Sequence, residues 1–255
     1  MKIATWNINS VRAREERLLN WLKTHQPDVL CLQELKVPTD AFPVEQCKEL
    51  GYHSAVFGQK TYNGVAILTR EEPEDVTRGM DNRPDDVQSR LISVKVAGVR
   101  VICAYFPNGG AMDSDKWVYK QSWMDDLASW ITRFDAKEEV LLTGDFNVAP
   151  FPDDIERAEE YEGSVLANPI VRGKLEAIAA FGLEDVFRPF HPGGNVYTWW
   201  DYRGLGFERN NGMRIDHFYA TKKMAARVIG SAVERTERHG KGASDHAPVL
   251  LELED

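Results

Sequence analysis

Carboxylate, amide and imidazole side chains stand next to several short apolar runs of this 255-residue chain. The clearest case follows the run 140–142, where Asp145 and Asn147 come just after Gly144. On an extended chain, residues i and i+2 point to the same side, so this carboxylate and this amide would project together from a strand end. The same residue types also favour turns, and taken alone the stretch 143–149 is better explained as a turn.

Complementary side chains stand at the ends of five other apolar runs: Asn7, Gln33 with Glu34, Tyr105, Asp216, and Asp245 with His246. Glu34 and Asp245 are hard oxygen ligands, and a Mg²⁺ site uses one or two such carboxylates together with phosphate and water. His246 can donate to a phosphate oxygen when it is protonated, a form that a nearby carboxylate such as Asp216 would favour.

The other polar groups would complete a hydrolytic site. Asp145 can orient and deprotonate a water molecule that Asn147 helps to hold, while Tyr105 and Asn7 can donate to a phosphate. This set suits metal-assisted attack of water on a phosphodiester. The chain has no P-loop, no Gly-x-Ser-x-Gly elbow and no Cys/His zinc spacing, so the chemistries built on those motifs are excluded.

Apolar runs separated by turn residues predict the strands that must position these groups. We expect strands at 3–6, 29–32, 52–57, 65–68, 91–96, 99–106, 140–142, 185–187, 197–200, 215–220, 228–233 and 249–253. A first helix should be capped by Ser10 and end before Pro27. A second carries Trp123, Leu127, Trp130, Ile131 and Phe134 on one face, and a third should cover 169–181 and end at Gly182. Because helices alternate with strands and hairpins, the pattern favours one α/β domain over 1–255, with two packed mixed sheets and helices outside.

The charge of the chain argues at first against a nucleic-acid partner, because the formal net charge is −9, from 31 basic and 40 acidic residues. The acidic clusters at 71–75, 125–126, 138–139 and 153–156 are interpreted as solvated surface. An acidic total also suits a site that gathers carboxylates around a divalent metal. Three cysteines, no apolar run of roughly 20 residues and no signal peptide together indicate a reducing cytoplasm.

Six motifs follow one another along nearly the whole chain: Trp6-Asn7-Ile8-Asn9, Leu32-Gln33-Glu34-Leu35-Lys36, Tyr105-Phe106-Pro107-Asn108-Gly109, Gly144-Asp145-Phe146-Asn147-Val148-Ala149, Arg214-Ile215-Asp216 and Ser244-Asp245-His246-Ala247-Pro248. In this order they resemble the exonuclease III family of abasic-site (AP) endonucleases, within the endonuclease/exonuclease/phosphatase superfamily. The resemblance implies a four-layer, DNase I-like α/β sandwich.

The resemblance also implies roles for individual residues. It makes Glu34 the Mg²⁺ ligand, with Mn²⁺ able to substitute, and places Asp245 and Asn7 near the metal or the phosphate. It makes Asp145 the base that activates water and Asn147 its positioning partner. By the same motifs Tyr105 contacts the phosphate and Asp216 pairs with His246.

Substrate contacts follow from the same resemblance. Lys36, Arg90, Asn108 and Arg203 become candidates for the DNA backbone, and Trp199, Met213 and Ile215 for the walls of an abasic-sugar pocket. Because neighbouring strand residues face opposite ways, either Trp199 or Trp200 can be core while the other lines the pocket. Met213 departs from the Trp or Leu of other members, and the segment 153–169 lacks their Leu-Pro-x-Glu-Arg sequence.

The implied activity is Mg²⁺-dependent base excision repair on double-stranded DNA. The enzyme would cut 5′ of an abasic site and trim 3′ ends as a 3′→5′ exonuclease, and we expect it to act as a monomer. Two alternatives stay open, because a fold does not fix a substrate. One is a phosphodiesterase or phosphatase acting on a lipid or inositol phosphate, and the other is a catalytically silent DNA-binding protein.

Overall fold

Two six-stranded sheets form the centre of the molecule, which a computed structural model describes over residues 1–254. In this range the strands are β1 Lys2–Asn7, β2 Val29–Gln33, β3 His53–Phe57, β4 Val65–Thr69, β5 Glu74–Arg78, β6 Leu91–Val96, β7 Val99–Tyr105, β8 Val140–Asp145, β9 Leu183–Asp185, β10 Trp199–Trp200, β11 Gly212–Met213, β12 Asp216–Thr221, β13 Val228–Val233 and β14 Val249–Leu253. The helices are α1 Val11–His25, α2 Val44–Glu49, α3 Asp115–Trp130, α4 Ala158–Tyr161, α5 Pro169–Ala179 and α6 Lys222–Ala225.

The two sheets share one pairing scheme. The first has the order β13-β14-β1-β2-β4-β3 and the second β5-β6-β7-β8-β12-β9. Each has one parallel pair at its centre, β1 with β2 and β7 with β8, and antiparallel pairs elsewhere. Both sheets are therefore mixed, as predicted, and a small third sheet pairs β10 with β11.

Three apolar clusters divide the molecule into four layers. Between the sheets lie alternate residues such as Ile3, Cys31 and Phe218. The intervening residues of the first sheet pack on α1 and α2 through Leu18, Trp21 and Cys47, among others. Those of the second sheet pack on α3 and α5, for example through Trp123 and Ile178. The predicted four-layer sandwich is confirmed, and no helix of residues 1–254 is long and apolar enough to cross a membrane.

The face between the sheets ends in polar side chains at one edge. Asn7 lies two residues beyond Thr5 and four beyond Ile3, so by strand alternation it shares their inward face. Tyr105 and Asp145 end two parallel strands in register with each other, and Asp216 begins the antiparallel strand opposite Asp145. Polar side chains from both sheets therefore meet at the same edge of the buried face.

Most predicted elements are confirmed, including the Ser10 cap of α1 and the hairpin of β6 and β7. Three boundaries are wrong. The strand expected at 185–187 is β9, which ends at Asp185, and the strand expected at 197–200 has only its last two residues paired. The long helix stops at Trp130, because a 3₁₀ turn follows and Phe134 is already extended.

Five elements were not predicted: α2, α4, α6, β5 and β11. The segment 74–78 is almost wholly exposed, so it lacks the apolar alternation by which a strand is recognised. β8 is longer than the strand predicted at 140–142, because it continues through Gly144 to Asp145. The turn interpretation of 143–149 therefore fails for its first three residues, and the chain leaves the sheet only after Asp145.

Candidate active site

Asp145 and Asn147 form the centre of the cluster at this edge. The Asp145 carboxylate accepts from the backbone N–H of Asn147 at 2.9 Å and from its Nδ2 at 3.2 Å. It also accepts from Asn7 Nδ2 at 2.9 Å, and both residues of the motif are at least 95% buried. The prediction that this carboxylate and this amide project together is confirmed.

His246 lies three residues before β14 of the first sheet and faces Asp145, which ends β8 of the second sheet. Its Nδ1 lies 2.8 Å from Asp216 Oδ2, and its Nε2 lies 3.7 Å from Asp145 Oδ2, too far for a hydrogen bond. Burial alone would lower the pKa of His246, but the Asp216 and Asp145 carboxylates outweigh it and raise that pKa to about 10. The imidazole is therefore a cation at neutral pH, with its Nε2–H still available to an oxygen atom.

Asp145 itself has an unusual pKa. Burial raises the pKa of Asp145 to about 7, opposed by the positive His246 and reinforced by Asp216. A carboxylate with a pKa near the working pH is suited to take a proton from water, since proton transfer is most effective when the two values match.

Glu34 lies beside this pair, held by three donors. Its Oε1 accepts from Tyr105 OH at 2.8 Å and from Asn7 Nδ2 at 3.0 Å, and Lys36 Nζ lies 2.8 Å from its Oε2. Burial favours the neutral acid, but Lys36 and the Asn7 hydrogen bond outweigh it and hold the pKa of Glu34 below its usual range. Burial raises the pKa of Tyr105 well above normal, so this phenol keeps its proton.

Asp245 completes the carboxylates of the site. Its Oδ1 accepts from Asn9 Nδ2 at 2.9 Å and its Oδ2 from Trp199 Nε1 at 3.0 Å. Burial works against ionisation, but the charge of His246 and these two hydrogen bonds keep the pKa of Asp245 below its usual range. Asn9 also accepts from Lys36 Nζ through its Oδ1 at 2.5 Å, so it links Asp245 to the Glu34–Lys36 pair.

Two groups of residues could hold a metal ion. Ligand atoms of Asp145, Asp216 and His246 lie within 4.8 Å of one another. A protonated imidazole has no lone pair to give, however, so His246 in the form found here is a donor and not a ligand. Glu34 and Asp245 fit a divalent cation better, because both are ionised hard-oxygen groups and Glu34 already holds the Lys36 ammonium.

Asn7 does not present an oxygen to this space. Its Nδ2 donates to both Glu34 and Asp145, and its Oδ1 accepts from the backbone N–H of Asn9 at 3.0 Å. The three contacts fix the orientation of the amide, because Nδ2 must face the two carboxylates. In this arrangement Asn7 orients the carboxylates, and its predicted place near a metal stays a prediction.

The predicted DNA contacts lie at different distances from the centre. Asn108 Nδ2 donates to Asn147 Oδ1 at 2.9 Å, which makes Asn108 part of the cluster. Arg90 stacks over the Tyr105 ring and donates to Tyr105 O at 3.2 Å. Arg203 is exposed, and among residues 1–254 its side chain has no hydrogen-bond or ion-pair partner.

The predicted pocket walls share one apolar cluster. Trp200 is fully buried and Trp199 is half-buried, so Trp200 is the core member of the pair, and the place of Trp199 in a pocket wall stays a prediction. Met213 and Ile215 are only 1% and 3% exposed, and Trp199 packs against them. They therefore support Trp199 from beneath, and direct contact of either side chain with a ligand stays a prediction.

Three residues that position the site were not predicted. Asn9 connects two carboxylates as described, although its motif had been noted. Thr198 Oγ1 accepts from the backbone N–H groups of both Ile215 and Asp216, which fixes the start of β12. Lys120 is fully buried on α3, and its spacing of three from Trp123 was the only sequence sign that it lies on the apolar face.

The whole chain is similar to known proteins. A model described as "Endonuclease/Exonuclease/phosphatase family" matches residues 4–246. Exodeoxyribonuclease III of Haemophilus influenzae is 35% identical, with 99% of this chain and 100% of the relative covered. The structure of the 3′ phosphatase NExo from Neisseria, bound to a product DNA hairpin, is 41% identical with a TM-score of 0.97 and covers 100% of this chain and 99% of its own. An AP endonuclease from Archaeoglobus fulgidus is 38% identical with a TM-score of 0.97, and both chains are fully covered.

Proposed function

The chain belongs to the endonuclease/exonuclease/phosphatase family and to its exonuclease III relatives, and on this premise we propose that it is a metal-dependent DNA repair nuclease. It hydrolyses the phosphodiester on the 5′ side of an abasic site, leaving a 3′-hydroxyl and a 5′-deoxyribose phosphate. It also shortens 3′ ends of duplex DNA. The relatives named exodeoxyribonuclease III and AP endonuclease support both parts of this proposal.

One observation carries the proposal. Asp145, with a pKa near neutrality, lies 3.7 Å from the Nε2–H of a protonated His246, and no hydrogen bond joins the two. A base at the end of β8 and a cationic donor in the segment before β14 therefore face each other. This is the arrangement that hydrolysis of an anionic diester needs, because one group must remove a proton while the other receives a negative oxygen.

The steps follow from the positions of these groups. Asp145 takes a proton from water, and the water oxygen attacks phosphorus as the bond from phosphorus to the 3′ oxygen breaks. The 3′ oxygen leaves with the bonding electron pair and takes a proton from solvent, which gives the 3′-hydroxyl. His246 donates Nε2–H to a non-bridging phosphate oxygen, and Asp216 keeps the imidazole oriented through Nδ1. Asn147 has one free lone pair on Oδ1 beside Asn108, which can accept from the attacking water.

A divalent cation would be held by Glu34 and Asp245. When bound, Mg²⁺ or Mn²⁺ supplies positive charge that stabilises the phosphate and the departing oxygen. Tyr105 keeps its proton and donates a hydrogen bond to Glu34 in this structure. The phenol thus lies beside the place where a phosphate would bind. Asn7 orients both Glu34 and Asp145.

The test is a duplex with a single abasic site, incubated with the protein and Mg²⁺ and then with EDTA. We expect incision 5′ of the lesion that stops when EDTA is added. Asp145→Asn should lower kcat by at least ~10²–10⁴-fold, since it removes the base but keeps the shape. Asp125→Asn, an exposed carboxylate paired with Lys174, is the matched control. Absence of incision by the unmodified protein would refute the proposed function. Near-normal rates for Asp145→Asn would refute the role of Asp145 as the base.

A related activity on 3′ phosphates has its own support. The Neisseria structure at 41% identity is titled a 3′ phosphatase bound to product DNA. Hydrolysis of a terminal phosphate uses the same attack of water on phosphorus, so the same duplex carrying a 3′ phosphate tests it directly. An inositol phosphate in the same assay tests the alternative substrate class, and faster turnover of that compound than of either DNA would favour it.

We also propose that residues 1–255 act as one catalytic domain, as a monomer and in the cytoplasm. The family model covers 243 of these residues in a single match, from residue 4 to 246. All three cysteines are buried and unpaired, which suits a reducing compartment. Sedimentation of the purified protein tests the monomer.

A further inference from the structure

Lys120 lies in the core without a carboxylate partner. It is 0% exposed, and within residues 1–254 its Nζ forms hydrogen bonds only to backbone carbonyls. These are the carbonyls of Asn147 at 2.7 Å, Val165 at 2.7 Å and Asn108 at 3.2 Å. An ammonium has three N–H donors, so each donor has one acceptor. Burial lowers the pKa of Lys120 to about 7, against an opposing effect of Asp145, so holding a charge here is costly.

The three carbonyls belong to three different segments. Asn108 follows β7, Asn147 follows β8, and Val165 lies just before α5. Two of the three residues have side chains in the active-site cluster, where Asn108 donates to Asn147. Lys120 on α3 therefore joins, at one point, both loops that leave the parallel strands of the second sheet.

The backbone of Asn147 is left-handed, and several contacts hold it in place. Its φ is +48°, a value that asparagine adopts more readily than other residues with a Cβ. The side chain is held by Phe106 O, Asp145 and Asn108, and the backbone N–H by Asp145. The Lys120 bond to the Asn147 carbonyl holds the other backbone polar group of the same residue.

Gly109 shows how closely the lysine is fitted. A Cβ at this position would lie 3.0 Å from Lys120 Cδ and 3.2 Å from Val165 Cβ, and φ is +97°. Glycine thus allows the 107–110 loop to close over the lysine stem. The fold thus has room for the Lys120 side chain beside Gly109 and three carbonyl acceptors for its ammonium. Packing of an apolar residue would not need these acceptors.

We propose that Lys120 is a positioning residue for hydrolysis, which sets the place of Asn147 and Asn108 through their backbone carbonyls. The inference rests on the proposed function for its kinetic consequences. It adds a residue 25 positions before Asp145 that touches neither water nor phosphate and acts through Asn147.

The first test replaces the donors and keeps the length, with Lys120→Met. We expect kcat on the abasic duplex to fall about 10- to 100-fold while KM changes little, since a misplacement of about 1 Å can cost that much. Lys120→Arg, which retains the donors, should recover part of the loss. Lys174→Met, a partly buried lysine on α5 that pairs with Asp125 away from the cluster, is the matched control and should leave kcat unchanged.

A double-variant cycle separates positioning from general damage. In an Asn147→Ala background, Lys120→Met should change kcat by no more than about twofold, because its route of action is already gone. Independent structural damage would instead multiply the two losses. Full multiplication, or an unchanged kcat for the single variant, would overturn the proposal.

Two further measurements cover the remaining outcomes. If Lys120→Met does not fold, Gly109→Ala displaces the lysine stem from the other side and should lower kcat in the same non-additive way. Amide NMR signals of Asn108 and Asn147 should shift in Lys120→Met and stay in place in Lys174→Met. That readout tests Lys120 even if the unmodified protein cuts neither DNA substrate, an outcome that would refute only the proposed function. Unshifted signals would refute the positioning role of Lys120.

Discussion

Glu34 combines a charged side chain with a backbone shape that costs energy. Its φ is +54° and that of Lys36 is +56°, both left-handed values for residues that have a Cβ. Backbone bonds from Leu35 to Gly64 and from Lys36 to Asn63 hold this segment in place. Strain of this kind persists where the surroundings enforce it, and here it turns the carboxylate toward Asn7 and Tyr105.

Glu34→Gln should abolish the stabilisation that Mg²⁺ gives the unmodified protein. A ligand at ten times its Kd stabilises the folded state by about 1.4 kcal/mol, which is about 3 to 6 °C in Tm for a chain of this size. Gln lacks the negative charge that Mg²⁺ requires, so the Tm of the Glu34→Gln variant should not rise with Mg²⁺. The measurement is thermal unfolding in a Mg²⁺ titration, with EDTA as reference.

Glu138→Gln serves as the control, because Glu138 is an exposed carboxylate paired with Lys223. It should respond to Mg²⁺ like the unmodified protein. An equal Tm response of Glu34→Gln would show that the metal is held elsewhere. In that case the Asp145–Asp216–His246 cluster becomes the site to test.

Sequence reasoning found the residues that stand at strand ends and missed those that act from elsewhere. Asp145 and Asp216 could be predicted because each adjoins an apolar run, and strand ends at one edge must converge. Lys120 gave no such signal, since a lysine in a polar helix is ordinarily solvated. Its role depends on three carbonyls from segments far apart in sequence, and only the folded chain brings them together.

At the level of elements, β8 shows why a glycine precedes the catalytic carboxylate. A Cβ on Gly144 would lie 2.0 Å from Ala104 O, the backbone of the parallel neighbour β7, and φ is +137°. The strand can therefore continue through position 144 only with glycine. The sequence suggested that this glycine ends the strand, whereas it lets β8 carry Asp145 to the edge in register with Tyr105.

Gly144→Ala should destabilise the protein by about 3 kcal/mol or more, because a backbone oxygen cannot move aside as a flexible side chain can. This corresponds to a Tm lower by about 6 to 12 °C, and incision should fall with it. Gly173→Ala is the opposite control. It lies within α5 with no atom near its added Cβ, so it should stabilise by up to about 1 kcal/mol.

A buried charge network ties the divergent segment after β8 to the sheet. Arg214 Nε donates to Asp154 Oδ1 and its Nη2 to Asp185 Oδ2, both at 2.7 Å. Its Nη1 lies 3.1 Å from Nδ1 of His217, whose Nε2 donates to Val148 O at 2.8 Å. This network anchors the segment 153–156 to the second sheet.

His217 makes the stability of this network depend on pH. Burial, and then the Arg214 charge, lower the pKa of His217 to about 4 from an ordinary 6.5. The unfolded state thus binds a proton more readily, so the stabilisation is complete above about pH 6.5 and is lost as the pH falls through about 4. The contribution over that window is about 3 kcal/mol.

Denaturant unfolding at a series of pH values measures this effect. The free energy of unfolding should fall more steeply between pH 6.5 and 4 for the unmodified protein than for His217→Gln. Buried carboxylates that do not face His217 contribute equally to both proteins, so the difference reports the histidine together with its interaction with Asp185. Parallel curves would show that His217 is not held neutral.

Elements with a clear apolar period were predicted well, and the short ones were not. β10 and β11 each pair over only two residues, so their existence depends on Thr198 and on the neighbouring 245–247 segment. The position of β9 likewise follows from its pairing with β12. Local pattern cannot specify a strand whose partners lie far away in sequence and whose own length is two or three residues.

At the scale of the whole molecule, the direction of the strands places two acidic segments away from the proposed DNA site. The acidic segments 71–75 and 138–139 adjoin the C-terminal end of β4 and the N-terminal end of β8, both at the edge opposite the site. These two segments hold acidic residues away from the cluster, whereas the segment 153–156 follows β8 on the side of the site, with Asp154 paired to Arg214. The predicted phosphate contacts beside the site are three cations, Lys36, Arg90 and Arg203.

DNA binding should therefore depend only moderately on salt. Each phosphate contact contributes a slope of about −0.9 in a plot of log K against log salt, so three cations predict a slope near −3. The measurement is fluorescence anisotropy of an abasic duplex with the inactive Asp145→Asn protein, between about 50 and 200 mM salt. Arg203→Ala should reduce the slope by about one unit, because this exposed guanidinium has no competing partner.

Lys223→Ala removes a surface charge that is paired with Glu138 at the opposite edge, and it should leave the slope unchanged. Equal slopes for Arg203→Ala and the unmodified protein would remove Arg203 from the interface. A slope much steeper than −3 would mean that DNA reaches further cations, with Arg14 and Arg238 beside Tyr202 as the nearest group. The salt dependence thus measures how far a small basic surface on an acidic protein extends from the active site.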